Sequence, residues 1–105
     1  MELVFDEGGC TGDFNAVCDP PDYWKKFDPD GEDELEIWFR AYTTQHELTP
    51  SEATLRELGY GYECFVEVST RRCFNDVELA RFRAKDRAEA ERLLQLAANA
   101  IYGEE

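Results

Sequence analysis

Apolar and polar residues alternate with a period of two over residues 34–44. Leu35, Ile37, Phe39 and Ala41 share one parity, and Glu36, Trp38, Arg40 and Tyr42 share the other. Successive side chains of a strand point to opposite faces of a sheet, so this pattern predicts a strand with the first set in a core. Residues 61–70 repeat it, with Tyr62, Cys64, Val66 and Val68 opposed to Glu63, Phe65 and Glu67. A third strand is predicted over 73–85. There Val77 and Leu79 fall on one parity and Ala80, Phe82 and Ala84 on the other, a switch that points to a β-bulge. A weaker alternation through Leu3 and Phe5 adds a short strand within residues 1–7.

Two segments carry helical signals instead. Thr49-Pro50-Ser51-Glu52 places a Thr at the N-cap, Pro at the first helical position and Glu at the third. Leu55 and Leu58 supply an apolar stripe, and Gly59 a left-handed stop. The second helix opens at Asp86, with Glu89 three residues on. Its apolar face is Ala90, Leu94, Ala97, Ala98 and Ile101, and Gly103 ends it. Residues 8–33 hold Gly8-Gly9, Pro20-Pro21 and Asp28-Pro29-Asp30-Gly31. They read as a long irregular loop, held to the body by Phe14, Tyr23, Trp24 and Phe27. The predicted order is β-loop-β-α-β-β-α, in one α+β domain spanning residues 1–105. The expected architecture is an antiparallel sheet of about four strands with two helices packed on one face.

At 43% hydrophobic residues, the 105-residue chain has enough apolar material for a core despite its charge. No run approaches the ~18 apolar residues of a membrane span. Met-Glu-Leu-Val-Phe-Asp-Glu lacks the basic start of a secretory signal, and a cytoplasmic location is expected. Cys10, Cys18, Cys64 and Cys73 form no CxxC pair, so free thiols and no cofactor are expected. A metal site made by all four meeting in the fold stays open as an alternative.

The net charge is −13, and its placement says more than its size. Residues 1–70 carry 17 acids and 4 bases, whereas residues 71–105 carry 7 of each. Such a field repels nucleic acid and lipid headgroups and attracts basic surfaces. The expected partner is therefore a basic protein, with no direct nucleic acid and no membrane, and the chain itself a monomer or a homodimer.

Six of the nine residues from Asp28 to Glu36 are acidic: Asp28, Asp30, Glu32, Asp33, Glu34 and Glu36. Three readings compete. A calcium loop wants Gly at its sixth position and Glu at its twelfth; counted from Asp28 the Gly is fourth and the twelfth is Arg40. A mimic of nucleic-acid charge needs acids spaced along an extended chain. Carboxylates two residues apart are separated by ~6.7 Å, twice the ~3.4 Å phosphate rise of a DNA strand. The third reading is a solvated acidic turn. Trp38 and Tyr42 could anchor an interface beside these acids. Alternatively, Tyr23 and Trp24 of the long loop could fold over them.

Catalysis is not expected. His46 has no assignable Ser or Cys beside it, and no GxGxxG or Walker A pattern is present. Gly59-Tyr60-Gly61 leaves a helix and enters a strand, the reverse of a phosphate loop. Arg81, Arg83 and Lys85 could contact an anion or nucleic acid, or could pair across strands with Glu63 and Glu67 or with the acidic N-terminal segment.

In size, acidity and lack of a catalytic signature, the chain resembles the small phage-encoded inhibitors of bacterial defence, the anti-CRISPR and anti-restriction proteins. Its ending, Val77-Glu78-Leu79-Ala80 followed by Asp86-Arg87-Ala88-Glu89-Ala90, is similar to small phage accessory domains with a β-hairpin and an Ala-rich helix. The resemblance implies an inhibitor acting in a host cytoplasm as a DNA mimic. It would block nucleic-acid access to a basic groove of a CRISPR effector or other DNA-handling protein. The residues expected to do so are Asp28, Asp30, Glu32, Asp33, Glu34 and Glu36, with Trp38 as an anchor. The alternative is an acidic immunity or adaptor protein that binds a toxin or assembly partner through shape and aromatic contacts.

Overall fold

The computed structural model describes residues 1–8, 12–27, 29–30, 34–43, 51–59, 61–70 and 77–103. Five strands form one antiparallel sheet: β1 (Asp6–Glu7), β2 (Phe14–Cys18), β3 (Leu35–Thr43), β4 (Tyr62–Thr70) and β5 (Val77–Ala84). Their order in the sheet, β1-β2-β3-β4-β5, is their order in the chain. The helices are α1 (Glu52–Glu57) and α2 (Arg87–Tyr102), and a 3₁₀ turn spans Asp22–Phe27.

The two-residue periods place β3 and β4 as expected. Ile37, Phe39, Ala41, Cys64 and Val66 are fully buried, and α2 lays Ala90, Leu94 and Ala98 against them. Each large apolar side chain removed from water there contributes about 1.5–3 kcal/mol. Asp86 caps α2, its Oδ1 accepting from the Glu89 N–H at 2.9 Å. Gly103 closes the helix at φ 75°, its N–H donating to the Asn99 carbonyl. Gln95 ties the N-terminal segment to α2: its Oε1 accepts from the Leu3 N–H at 2.8 Å, and its Nε2 donates to the Met1 carbonyl at 2.6 Å.

The predicted bulge is present. Val66 pairs with Ala80 but Glu67 with Glu78, so Leu79 is the extra residue of β5. It carries the parity switch seen in the sequence.

Three expectations need correction. The sheet has five strands, because β2 lies inside the stretch read as an irregular loop over 8–33. Phe14 and Ala16 are buried and alternate with Asn15 and Val17, but only five residues long, between glycines and Pro20-Pro21, the alternation is drowned by turn formers. The helical layer is α2 alone: among the described residues, α1 packs against no other element. Six residues cannot sustain a helix face by themselves or bury much of one. Finally, the residue before α1 is Ser51, whose Oγ accepts from the Thr54 N–H at 3.3 Å. Thr49 and Pro50, like His46, lie outside the described residues. No helix among the described residues is long and apolar enough to cross a membrane.

Candidate functional site: an acidic recess and an open sheet face

The pairing of β2 with β3 builds the recess. Cys18 is opposite Ile37, so the end of β2 lies beside the start of β3. The chain leaves β2 through Asp19-Pro20-Pro21 and turns at once into the 3₁₀ segment, whose Trp24 N–H donates to the Pro21 carbonyl at 2.9 Å. β3 is approached through Glu34, a non-glycine residue at φ 49°. The end of α2 closes the third side, where the Tyr102 hydroxyl donates to the Asp19 carbonyl.

Between these segments lies an open cavity of about 840 Å³. Asp19, Asp22, Asp30 and Glu34 bring carboxylates to it, and Pro20, Pro21, Pro29 and Tyr102 wall it. A smaller recess of about 280 Å³ adjoins it, lined by Asp19, Glu34, Leu35 and Glu36. Five acids from three stretches of chain thus meet at one end of the sheet. Burial pushes the Tyr102 hydroxyl up to about 12, with Cys18, Asp19 and Tyr23 adding to the shift. It therefore stays a neutral donor at physiological pH. The Cys18 thiol is likewise raised, first by burial and then by Asp19. A cluster of acceptors with no activated thiolate suits the recognition of guanidinium or ammonium groups by charge-assisted hydrogen bonds.

Of the acids singled out in the sequence, the structure gathers Asp30 and Glu34 at the cavity and Glu36 beside it. Asp28, Glu32 and Asp33 lie outside the described residues. Asp19, Asp22 and Tyr102 escaped sequence reasoning. The flanking of Pro20-Pro21 by two aspartates was a signal for a rigid acidic turn, but its neighbour across the sheet depended on β2.

Trp38 is elsewhere. It lies on the sheet face opposite α2, where cross-strand registers lay out ordered rows: Tyr42–Glu63–Arg83, Asn15–Arg40–Phe65–Arg81, Val17–Trp38–Glu67–Glu78 and Glu36–Ser69. The Trp38 Nε1–H donates to the Glu36 carboxylate at 3.2 Å, and the Arg40 guanidinium lies 4.3 Å from the Trp38 ring centre. Arg81 sits 4.6 Å from the Phe65 ring centre and ion-pairs with Glu63 at 3.3 Å and Glu78 at 2.6 Å. The hydrogen bond that Arg81 donates to Glu78 is the largest influence raising the pKa of its guanidinium. Cross-strand pairing with Glu63 is therefore realised, while Glu67 turns to Arg40 at 3.9 Å. Tyr42 meets Phe65 edge to face at 5.6 Å between ring centres. Trp24 of the 3₁₀ segment does not cover this face, since it packs with the core on the other side.

Cys18 and Cys64 are free thiols in β2 and β4, and Cys10 and Cys73 lie outside the described residues. Among the described residues no group of three or more His, Cys, Asp or Glu side chains is arranged to hold a metal ion. No family model, curated protein or solved structure was found to match this chain.

Proposed function

We propose that the protein is a non-enzymatic inhibitor that uses its acidic end to occupy a basic nucleic-acid-binding groove of a CRISPR effector or other DNA-handling protein. The observation that carries this reading is the convergence of Asp19, Asp22, Asp30, Glu34 and Glu36 around two adjoining recesses. The sheet order adds to it. Because strands follow one another in space as in the chain, the charge imbalance of the sequence becomes an imbalance across the molecule. The acids gather toward β1–β3, and Arg81, Arg83 and Lys85 mark the β5 edge. Binding would displace counterions held in the partner's groove and so weaken with salt.

The test is capture of partners from host lysate, elution with rising salt, and repetition with the quadruple variant Asp19→Asn, Asp30→Asn, Glu34→Gln, Glu36→Gln. A nucleic-acid-handling complex that leaves in moderate salt and is not retained by the folded variant is expected. Capture that persists into high salt and ignores the four changes would overturn the electrostatic reading, and would favour an adaptor that binds through shape and aromatic contacts.

A further inference from the structure

The sheet face opposite α2 is rich in Trp, Tyr, Phe and Arg, the residues that concentrate binding energy at interfaces. Every described segment that packs on the sheet does so from the other side: α2, Leu3, Phe5 and Trp24 all belong to the core. On the open face, Tyr42 is 39% exposed and Val17 43%. We infer that this face is the site at which a second copy of the chain docks, forming a twofold dimer sheet to sheet.

Charge selects that occupant. The rows hold four glutamates and three arginines, a balance of −1 on a chain of −13. Two such chains repel over most of their surface, and a nearly neutral face is where they approach at least cost. The strand order does more. With the twofold axis running along the strands between β3 and β4, the β1–β2 side of each copy lies over β5 of the other. Arg81 of one then lies over Asn15 of the other, with Asp6 of β1 paired beside it, and Arg40 of each copy faces Phe65 of its partner.

The area suffices. Strands β2 to β5 contain 31 residues. At ~3.4 Å along and ~4.8 Å across each strand they cover about 500 Å² in plan, so two copies bury about 1,000 Å² before side-chain relief is counted. That reaches the ~1,000 Å² which specific interfaces exceed. Area does not fix affinity, but an interface of this size belongs with the weak, micromolar class of specific contacts.

Sedimentation equilibrium from ~1 to ~100 µM tests this, a range that brackets such an affinity. The full chain should shift from monomer to dimer. Phe65→Glu, at the centre of the face, and Arg81→Glu, exposed at its β5 edge, should each weaken the dimer at least about tenfold. Glu34→Gln, at the acidic recess, should leave it unchanged. Circular dichroism checks each fold, and should Phe65→Glu fail to fold, Arg81→Glu decides alone. A chain that stays monomeric throughout, or a dimer indifferent to the folded face variants, overturns the inference.

Discussion

Gly61 lies just before β4, and an alanine there would collide with the chain on the next strand. A Cβ built on Gly61 falls 1.9 Å from the Lys85 carbonyl oxygen and 2.7 Å from its carbon. Real Cβ atoms essentially never come within 3.0 Å of such a neighbour, so the gap must open by about 1.1 Å. Both atoms are backbone, with no flexible side chain to yield. The adjacent pair is Tyr62 with Ala84, which closes the β4–β5 ladder and sits next to the Asp86 cap of α2. Losing one ladder hydrogen bond at that end would cost ~1 kcal/mol, and forcing a filled site apart a further ~1–3 kcal/mol. The gain from restricting the unfolded chain offsets ~0.4–1 kcal/mol. The net expectation for Gly61→Ala is a loss of about 1–3.6 kcal/mol, centred near 2, a fall in Tm of roughly 10 °C for a domain near this size. Gly103→Ala is the control, because nothing lies within 4 Å of its Cβ and only its φ of +75° resists substitution. It should cost about 1 kcal/mol. Urea and thermal melts of the three proteins decide it. If Gly61→Ala stays within ~0.5 kcal/mol of the parent, the range of a neutral surface change, the close approach of Gly61 to Lys85 is wrong.

Two further outcomes follow from the geometry. Asp86→Ala removes the carboxylate that caps α2 and should cost ~1 kcal/mol in urea unfolding, whereas Asp86→Asn should cost much less; equal losses would show that the cap hydrogen bond is not the cause. Burial, with Glu63 and Glu89 adding, pushes the fully buried Cys64 thiol from 9.0 up to about 12. The native state keeps a proton that the unfolded chain releases, so this group makes stability fall as pH rises from 9.0 toward about 12. Tyr102, raised from 10.0 to about 12, acts in the same direction. Cys64→Ala should therefore flatten, without abolishing, the decline in urea midpoint above pH 9, and an unchanged slope would refute the assignment.

The pattern along the chain was enough to place β3, β4, the bulge of β5 and the capped, apolar-faced α2. Each rests on local chemistry: a period of two or near 3.6, a cap and its reciprocal carboxylate, a parity switch at Leu79. It also determined the charge imbalance between the first 70 residues and the rest. Tertiary structure alone decided what is non-local. β2 is too short to declare itself, and becomes a strand because Phe14 and Ala16 find β3 beside them. Asp19 and Asp22 join Asp30 and Glu34 only through that pairing and the closing contact of Tyr102. Trp38, four residues past Glu34 in the chain, is sent by the pleat to the sheet face opposite the core, in a row with Val17 and Glu67 that come from other strands. Gly61 reads as a turn residue until Lys85, 24 positions later, is placed against it. Periodicity reports the environment of one segment, whereas a site is made of segments that the chain brings together, and their meeting depends on which strand pairs with which.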